Sequence, residues 1–355
     1  MAGKLILGGN EYEFSSVARL QKSGQYPEFQ AIFDFILEWQ SGQPFFELFT
    51  SGSTGKPKAI TVSRNQMIAS AKRTIRTLKL ENGISALMCM NPSFIGGKMM
   101  LVRAMEFDWD LTMITPTNNP SLFLKKNSLF DFMALVPMQL ENMLEDEQGK
   151  QILNQSAHII VGGAPVSSRL REKLNTITAQ VYNTYGMTET VSHIALMPLN
   201  EPNTSEEFKV LDGIELGTDA RNCLRIKGDV TNNEWVQTND VVALKDQHFL
   251  WLGRADFVIN SGGIKIHLDQ LEERISDILE TEAVLLKIKD PSLGESYALV
   301  IKEEVKASNE SIQITLKSAL PKYHGPKVIL KVENFLRTES GKVDRAGIKL
   351  QLGLE

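Results

Sequence analysis

The chain reads as an α/β protein: a large N-terminal domain of β/α layers carrying a small antiparallel β unit, then a smaller α+β C-terminal domain. Three observations predict this. Between residues 45 and 190 short apolar runs alternate with helical patterns, the signature of parallel β/α layers. From about Phe208 to Leu252 short strands are punctuated by Gly, Asn and Asp, which reads as antiparallel hairpins. Past Gly253 helices and strands follow in mixed order, a separate unit of roughly a hundred residues. The expected division is 1–253 and 254–355.

In chain order, Phe29, Ile32, Phe33, Ile36 and Leu37 recur at helical spacing between Glu28 and Trp39. Phe45–Phe49 and Ala59–Val62 read as strands flanking a glycine-rich loop, and Ser63 is placed to N-cap a helix with Met67, Ile68, Ala71, Ile75 and Leu78 on one face. Strands are expected at Ala86–Met90, Leu111–Thr115, Phe132–Val136, His158–Val161 and Gln180–Tyr185. The helices between them are Gly97–Phe107, Met138–Glu145 and Ser168–Leu174. The C-terminal unit is expected to contain helices at Leu268–Leu279 and Ile312–Leu320, with strands at Ala283–Ile288, Tyr297–Ile301 and Val328–Val332.

The chain has 355 residues and a net charge of −5, with basic residues scattered rather than striped, so no nucleic-acid-binding face is expected. Its two cysteines, Cys89 and Cys223, lack the spacing of a zinc site and fit a reducing compartment. The N-terminal apolar run is too short for a signal peptide, and no stretch approaches a membrane span. A cytoplasmic protein is the expectation; oligomeric state is left open.

Residues 50–58 read Thr-Ser-Gly-Ser-Thr-Gly-Lys-Pro-Lys. Hydroxyls on Thr50, Ser51, Ser53 and Thr54, glycines at Gly52 and Gly55, and a cation at Lys58 are what a chain needs to wrap the outer phosphates of a nucleotide. The spacing is not that of a Walker A loop. A flexible Ser/Gly linker has the same composition, but strands on both sides mark a placed loop.

A second informative stretch, Tyr182-Asn183-Thr184-Tyr185-Gly186-Met187-Thr188-Glu189-Thr190, closes a predicted strand. With the glycine loop it resembles the adenylate-forming superfamily of acyl- and aryl-CoA synthetases, carrier-protein adenylation domains and luciferases. The resemblance continues, in the family's order, through Gly162-Gly163-Ala164-Pro165, Thr238-Asn239-Asp240, Gly253-Arg254-Ala255-Asp256, Ser261-Gly262-Gly263-Ile264-Lys265-Ile266 and Glu339-Ser340-Gly341-Lys342-Val343-Asp344-Arg345. It covers the chain from about residue 45 to its end.

The resemblance implies ATP, Mg²⁺ and coenzyme A as cofactors and a small carboxylic acid as substrate. Lys58 and the loop hydroxyls would hold the β- and γ-phosphates. Gly163, Ala164 and Tyr185, with Gly186 beside them, would form the adenine slot. Thr188 would donate to the α-phosphate, and Glu189 would be the Mg²⁺-side carboxylate. Asp240 would accept from the ribose hydroxyls with Arg254 helping, and Lys342 would be the mobile catalytic lysine. Asp256 matches the hinge, and Gly262 and Gly263 would let the pantetheine arm pass. Taken singly, each position has a plainer reading: Thr188 and Glu189 cap a helix, Asp240 turns between strands, Lys342 is solvated, Arg254 forms a surface ion pair, and the glycine pair is a turn.

The glycine loop falls at about residue 50, where typical members carry well over a hundred residues before it, so most of the usual N-terminal subdomain is expected to be missing or shrunken. Ala59 stands where a glycine commonly follows. The short form, with residues 185–195 and 94–104, resembles the compact o-succinylbenzoate–CoA ligases of menaquinone biosynthesis. An aromatic keto-dicarboxylate needs an apolar slot, for which Phe94, Gly97, Met187 and Val191 are candidates. Its unreactive carboxylate needs a donor, for which Lys98, Arg103 or His193 are candidates. Met99, Met100 and Leu101 beside them read as core, Lys98 and Arg103 are also readable as capping or solvating a helix, and His193 as a packed structural histidine. A stand-alone enzyme loading a carrier protein and a catalytically silent AMP-binding scaffold are the alternatives.

Overall fold

The computed structural model describes residues 3–49, 59–338 and 342–354. The chain opens with a hairpin, β1 (Lys4–Leu7) and β2 (Asn10–Glu13), followed by helices α1 (Val17–Ser23) and α2 (Gln30–Gln40). Strands β3 (Phe45–Phe49) and β4 (Ala59–Ser63) pair antiparallel as a separate ribbon. Helix α3 (Arg64–Leu78) then starts on a capping box: the Ser63 hydroxyl accepts from the Gln66 N–H, and the Gln66 side chain accepts from the Ser63 N–H. Two otherwise orphaned donors are satisfied there, an arrangement whose loss costs about 1 kcal/mol.

The β/α layers follow as β5 (Ser85–Met88), α4 (Ile95–Glu106), β6 (Asp110–Met113) and β7 (Phe132–Leu135). Next come α5 (Pro137–Glu145), α6 (Glu147–Asn154), β8 (His158–Val161), α7 (Ser168–Leu174) and β9 (Gln180–Met187). The chain then turns back through β10 (Ser192–Pro198), β11 (Phe208–Val210), β12 (Ile214–Thr218), β13 (Cys223–Gly228), β14 (Val236–Lys245) and β15 (His248–Arg254). Among the described residues these strands, apart from the β3–β4 ribbon, form one sheet in the order β12-β13-β14-β15-β11-β10-β9-β8-β7-β5-β6-β1-β2. From β9 to β1 neighbours run parallel; from β9 to β12 they run antiparallel. The expected antiparallel unit is thus continuous with the parallel sheet, joined through β10.

Strand β7 shows why the sheet is covered on both faces. All four of its residues are buried, as in a parallel sheet with helices above and below. Phe132 and Ala134 face a core shared with Trp109, Met100 and α3, whereas Met133 and Leu135 face one shared with Leu140 and Met143 of α5. This is the two-residue alternation of a strand. Phe132→Ala would open a cavity against Trp109, whose ring centroid lies 5.4 Å away, and cost about 3–5 kcal/mol.

After Arg254 a 3-10 turn, Ala255–Phe257, leads to a second sheet. Its elements are β16 (Val258–Ser261), β17 (Ile264–His267), α8 (Leu268–Leu279), β18 (Ala283–Asp290), β19 (Gly294–Lys302), α9 (Asn309–Ala319), β20 (Val328–Val332) and α10 (Arg345–Gln351). The strands run in the order β17-β16-β19-β18, with β20 parallel to β19. Among the described residues no helix is long and apolar enough to cross a membrane.

Candidate active site

Two of the stretches singled out from the sequence, residues 162–165 and Thr188–Thr190, leave the carboxyl ends of β8 and β9, where ligands of open α/β sheets bind. At the exit of β8, Gly162 faces Thr184, whose hydroxyl donates to the Val161 carbonyl at 3.0 Å; a Cβ at Gly162 would lie 2.1 Å from that hydroxyl. Gly163 and Ala164 follow on an exposed ledge. On β9, Gly186 lets β10 press close: a Cβ there would meet the Ser192 carbonyl at 2.1 Å.

Tyr185 stands edge-on to Phe249 and Phe208, with centroids 5.0 and 5.7 Å away. Its hydroxyl donates to Asp240 Oδ2 at 2.5 Å, and Trp251 Nε1 donates to Oδ1 at 3.3 Å. The Asp240 N–H donates to Thr238 Oγ1, which ties the carboxylate's backbone to the strand. Burial first, then the Asp240 charge, pushes the Tyr185 phenol well above its usual range, so it remains a donor. An ionised carboxylate has about four lone-pair sites, so Asp240 keeps acceptor capacity after both bonds.

Between β9 and β10 the chain makes a tight 3-10 turn, Thr188–Thr190, then passes through Val191 (φ 55°) and Ser192 (φ 102°). A β-branched residue at positive φ is strained, a cost of order 1–3 kcal/mol that persists only when neighbours enforce it. Here they do. Thr190 Oγ1 accepts from the Met187 N–H, and the Ser70 hydroxyl of α3 donates to the Val191 carbonyl at 2.9 Å. The turn holds Thr188 and Glu189 half-buried at the strand end. Among the described residues no three acidic, His or Cys side chains cluster as a metal cage. A Mg²⁺ held largely by phosphate oxygens needs only one or two carboxylates, and Glu189 offers one.

Arg254 lies directly opposite Asp240 in the β14–β15 register. Its guanidinium, however, is engaged by Asp256, with Nε and Nη2 each donating at 2.9 Å. The 3-10 turn that begins at Ala255 folds Asp256 back toward the Arg254 side chain, which allows this fork. Asp256, expected as a bare hinge, is therefore held by the arginine before it. Lys342, half-buried, comes close enough to Arg254 that burial and then the Arg254 charge both lower its pKa. The structure thus gathers Tyr185, Asp240 and Arg254 at one place, with Lys342 within reach of the Arg254 charge.

The acid-pocket candidates are scattered by comparison. Lys98 and Arg103 are five residues apart on α4, roughly 140° around the helix. The Lys98 ammonium sits 5.2 Å from the Phe35 ring centroid on α2, and burial lowers its pKa against the pull of Glu38. Arg103 points instead into the core: its Nη2 donates to Thr74 Oγ1 at 3.2 Å, and His193 Nε2 lies 3.0 Å from the same hydroxyl. Lys98 therefore does not join Arg103 and His193. Val191 is buried with the core on the α3 side, Met187 packs against the opposite one, and Phe94 is the half-buried N-cap of α4, above the buried Gly97.

Arg103 is only 1% exposed, its Nε has no partner among the described residues, and burial alone pulls its guanidinium down to about 9. His193 is held well below its usual pKa by burial, then by Arg103 and Arg73. Thr50, Ser51, Gly52, Ser53, Thr54, Gly55 and Lys58 lie outside the described residues. Gly262 (φ 55°) and Gly263 (φ 84°) form the two-residue loop of the β16–β17 hairpin, a turn that itself demands positive φ at both places. The sequence reading missed Ser70 and Thr74, whose partners Val191 and His193 lie far along the chain, and Trp251, whose partner Asp240 lies across the β14–β15 hairpin.

Residues 14–213 match the model of the AMP-binding enzyme family. A crystal structure of an acyl-CoA synthetase (AMP-forming)/AMP-acid ligase II-like protein from Dyadobacter fermentans is 41% identical, over 94% of this chain and 98% of that one, with a TM-score of 0.62. A 2-succinylbenzoate–CoA ligase of Listeria monocytogenes is 25% identical over 89% of this chain and 72% of its own length. An O-succinylbenzoate coenzyme A synthetase of Bacillus subtilis, solved with ATP and magnesium, shares the fold at a TM-score of 0.72, with 20% identity over 85% of this chain and 69% of that one. The match covers more than half of this chain and runs through the strand ends described above, and the chain belongs to the AMP-binding enzyme family.

Proposed function

We propose that the chain is an ATP-dependent, AMP-forming acid–CoA ligase whose acid is o-succinylbenzoate, working in the cytoplasm, where ATP and CoA are found, and without a nucleic-acid partner. The observation that carries the reading is the Tyr185–Asp240 pair with Arg254 opposite it in the strand register, in a sheet whose strands β5 to β11 lie within the stretch that matches the AMP-binding enzyme family. Relatives named as 2-succinylbenzoate–CoA ligases support the choice of acid.

The Gly163–Ala164 ledge and the Tyr185 ring take the adenine, and Asp240 accepts from the ribose. The substrate carboxylate, ionised at neutral pH, needs no general base. Its oxygen bonds to the α-phosphorus of ATP as the bond to pyrophosphate breaks, giving an acyl adenylate. Charge gathers at the α-phosphate, where Thr188 donates and Lys342 supplies a cation, contributions of about 3–4 kcal/mol for each well-placed donor. Mg²⁺, on the Glu189 side, supplies further charge neutralisation at the phosphates. In the second step the CoA thiol sulfur bonds to the acyl carbon, its proton goes to solvent, and AMP leaves. The residues beyond Asp256 rotate between the two steps, withdrawing Lys342 so that the thiol can enter past Gly262 and Gly263.

Arg103 explains why a dicarboxylate fits. A buried guanidinium without a carboxylate partner is costly until an anion arrives, and the second carboxylate of o-succinylbenzoate is such an anion, with Thr74 and neutral His193 completing its surroundings. The test is pyrophosphate release and thioester detection by mass, with o-succinylbenzoate, benzoate, succinate and fatty acids, each with and without CoA. The reading expects o-succinylbenzoyl-CoA and AMP. No acid-dependent pyrophosphate would make the chain a silent scaffold; an adenylate never passed to CoA would make it a carrier-loading enzyme.

A further inference from the structure

One polar contact between the units sits directly on the hinge. The backbone N–H of Arg254, the last residue of β15, donates to Asp269 Oδ2 at 2.8 Å. Asp269 belongs to the first turn of α8, beyond the hinge, so the bond spans the Asp256 segment. Its close approach depends on Gly253, which has φ 118°; a Cβ there would lie 3.2 Å from Asp269 Oδ2 and 3.6 Å from His267 Nδ1.

The same helix makes a second contact two turns on. Ser168, the first residue of α7, places its hydroxyl 2.7 Å from Asp277 Oδ2 and 3.3 Å from Glu273 Oε1. Asp269, Glu273 and Asp277 recur every fourth residue, so they form one stripe along α8. That stripe faces the large sheet's layer at two separate points, the end of β15 and the start of α7.

The geometry points to an orientation latch. The Asp269–Arg254 bond, supported by Ser168–Asp277, holds the second unit in the attitude that brings Lys342 to Arg254, and it opens before a thiol reaches the acyl carbon. Asp269 is thus a positioning residue for adenylation, a statement that rests on the ligase reading above. The mechanics follow from chain order. Arg254 lies before the hinge and Asp269 after it, so a change of φ and ψ at Ala255–Asp256 carries the acceptor away from the donor. An ordinary first-turn acid would serve its own helix; this carboxylate serves an N–H on another element.

The experiment compares wild type, Asp269→Ala, Asp269→Asn and Ser168→Ala as full chains, each half-reaction measured separately. Asp269→Ala is expected to slow adenylate formation about tenfold in kcat, with KM for ATP within about twofold, while transfer from supplied acyl adenylate to CoA is unchanged or faster. Asp269→Asn keeps an acceptor oxygen and restores most of the rate. Ser168→Ala shifts the balance the same way by about twofold. Equal slowing of both half-reactions by Asp269→Ala, or no slowing, overturns the latch while leaving the ligase reading intact.

Tryptic cleavage after Arg254, followed by mass, reports the latch without turnover. It is expected to rise several-fold in Asp269→Ala and to stay at the wild-type rate in Asp269→Asn; an unchanged rate in the alanine variant overturns the proposal. A wild type that makes no adenylate sinks the ligase reading, and the cleavage rates still judge the latch.

Discussion

The nucleotide end and the acid end proposed for the site are built on opposite electrostatic plans. Around Asp240 each charge is answered: Tyr185 and Trp251 donate to its carboxylate, and Asp256 takes the guanidinium of neighbouring Arg254. Around Arg103 among the described residues there is a methionine sulfur, one hydroxyl and an aromatic face, and its Nε is left over. A ligand that brings hydroxyls and a base can be awaited by groups already satisfied by one another. A ligand that brings a carboxylate has to be awaited by a cation held short of partners. The cost of that shortage, several kcal/mol for an uncompensated buried charge, is the reason the anion is proposed to bind there.

The largest expected effect tests the answered end. Lys342→Ala should slow adenylation by about 10²–10⁴-fold yet leave acyl transfer from supplied adenylate within a few-fold of wild type. Equal loss of both half-reactions in a folded variant would mean that one arrangement serves both steps. Next comes Asp240→Ala, which removes the shared acceptor of Tyr185 and Trp251. It should raise KM for ATP about 10–100-fold and leave KM for the acid nearly unchanged. A matching rise for the acid would dissolve the distinction between the ends.

Arg103→Met carries the comparison furthest, because its two effects have opposite signs. It should raise KM for o-succinylbenzoate at least about tenfold more than for a monocarboxylate analogue. It should also stabilise the unliganded protein by about 1–3 kcal/mol, since an apolar chain of similar length replaces an unpaired buried charge. Denaturant midpoints with and without acid read both. A variant less stable than wild type would show that the arginine is answered structurally and that no anion is awaited.

How much of this was legible depends on how locally each feature is encoded. The strand–helix alternation, the Ser63 cap and the buried run of β7 follow from neighbouring residues and sit where the sequence places them, within two residues or so. The continuity of the antiparallel strands with the parallel sheet was not legible, because β10 begins at Ser192, which like Val191 before it has a positive φ that no hydrophobic pattern announces. In the site, Tyr185, Asp240 and Lys342 stand out by motif. Arg103 stood only as one of three cations for the acid, and its separation from Lys98 depends on their angle around α4. Its partners Thr74 and His193 lie on α3 and β10, and nothing periodic in the chain links the three. Asp269 was invisible for the same reason: its partner is a backbone N–H beyond the hinge.

The smallest expected effect is at His193, where the pH dependence carries the sign. Its folded pKa lies well below 6.5, driven by burial and then by Arg103 and Arg73. A histidine depressed in the folded state lends stability that is present above its unfolded pKa and lost as pH falls, because the unfolded chain takes the proton first. Between about pH 6.5 and 5 the wild type should therefore lose up to about 1.4 kcal/mol per pH unit from this group. His193→Gln removes the loss and should flatten that part of the profile. Arg103→Met removes one of the charges that depress the imidazole, so its folded pKa rises and the loss ends at a higher pH. Denaturation midpoints at pH 7, 6 and 5 for the three proteins decide the matter. An Arg103→Met profile as steep and as long as that of wild type would mean that the guanidinium and the imidazole do not share one field, and the acid end would then be two unrelated buried groups.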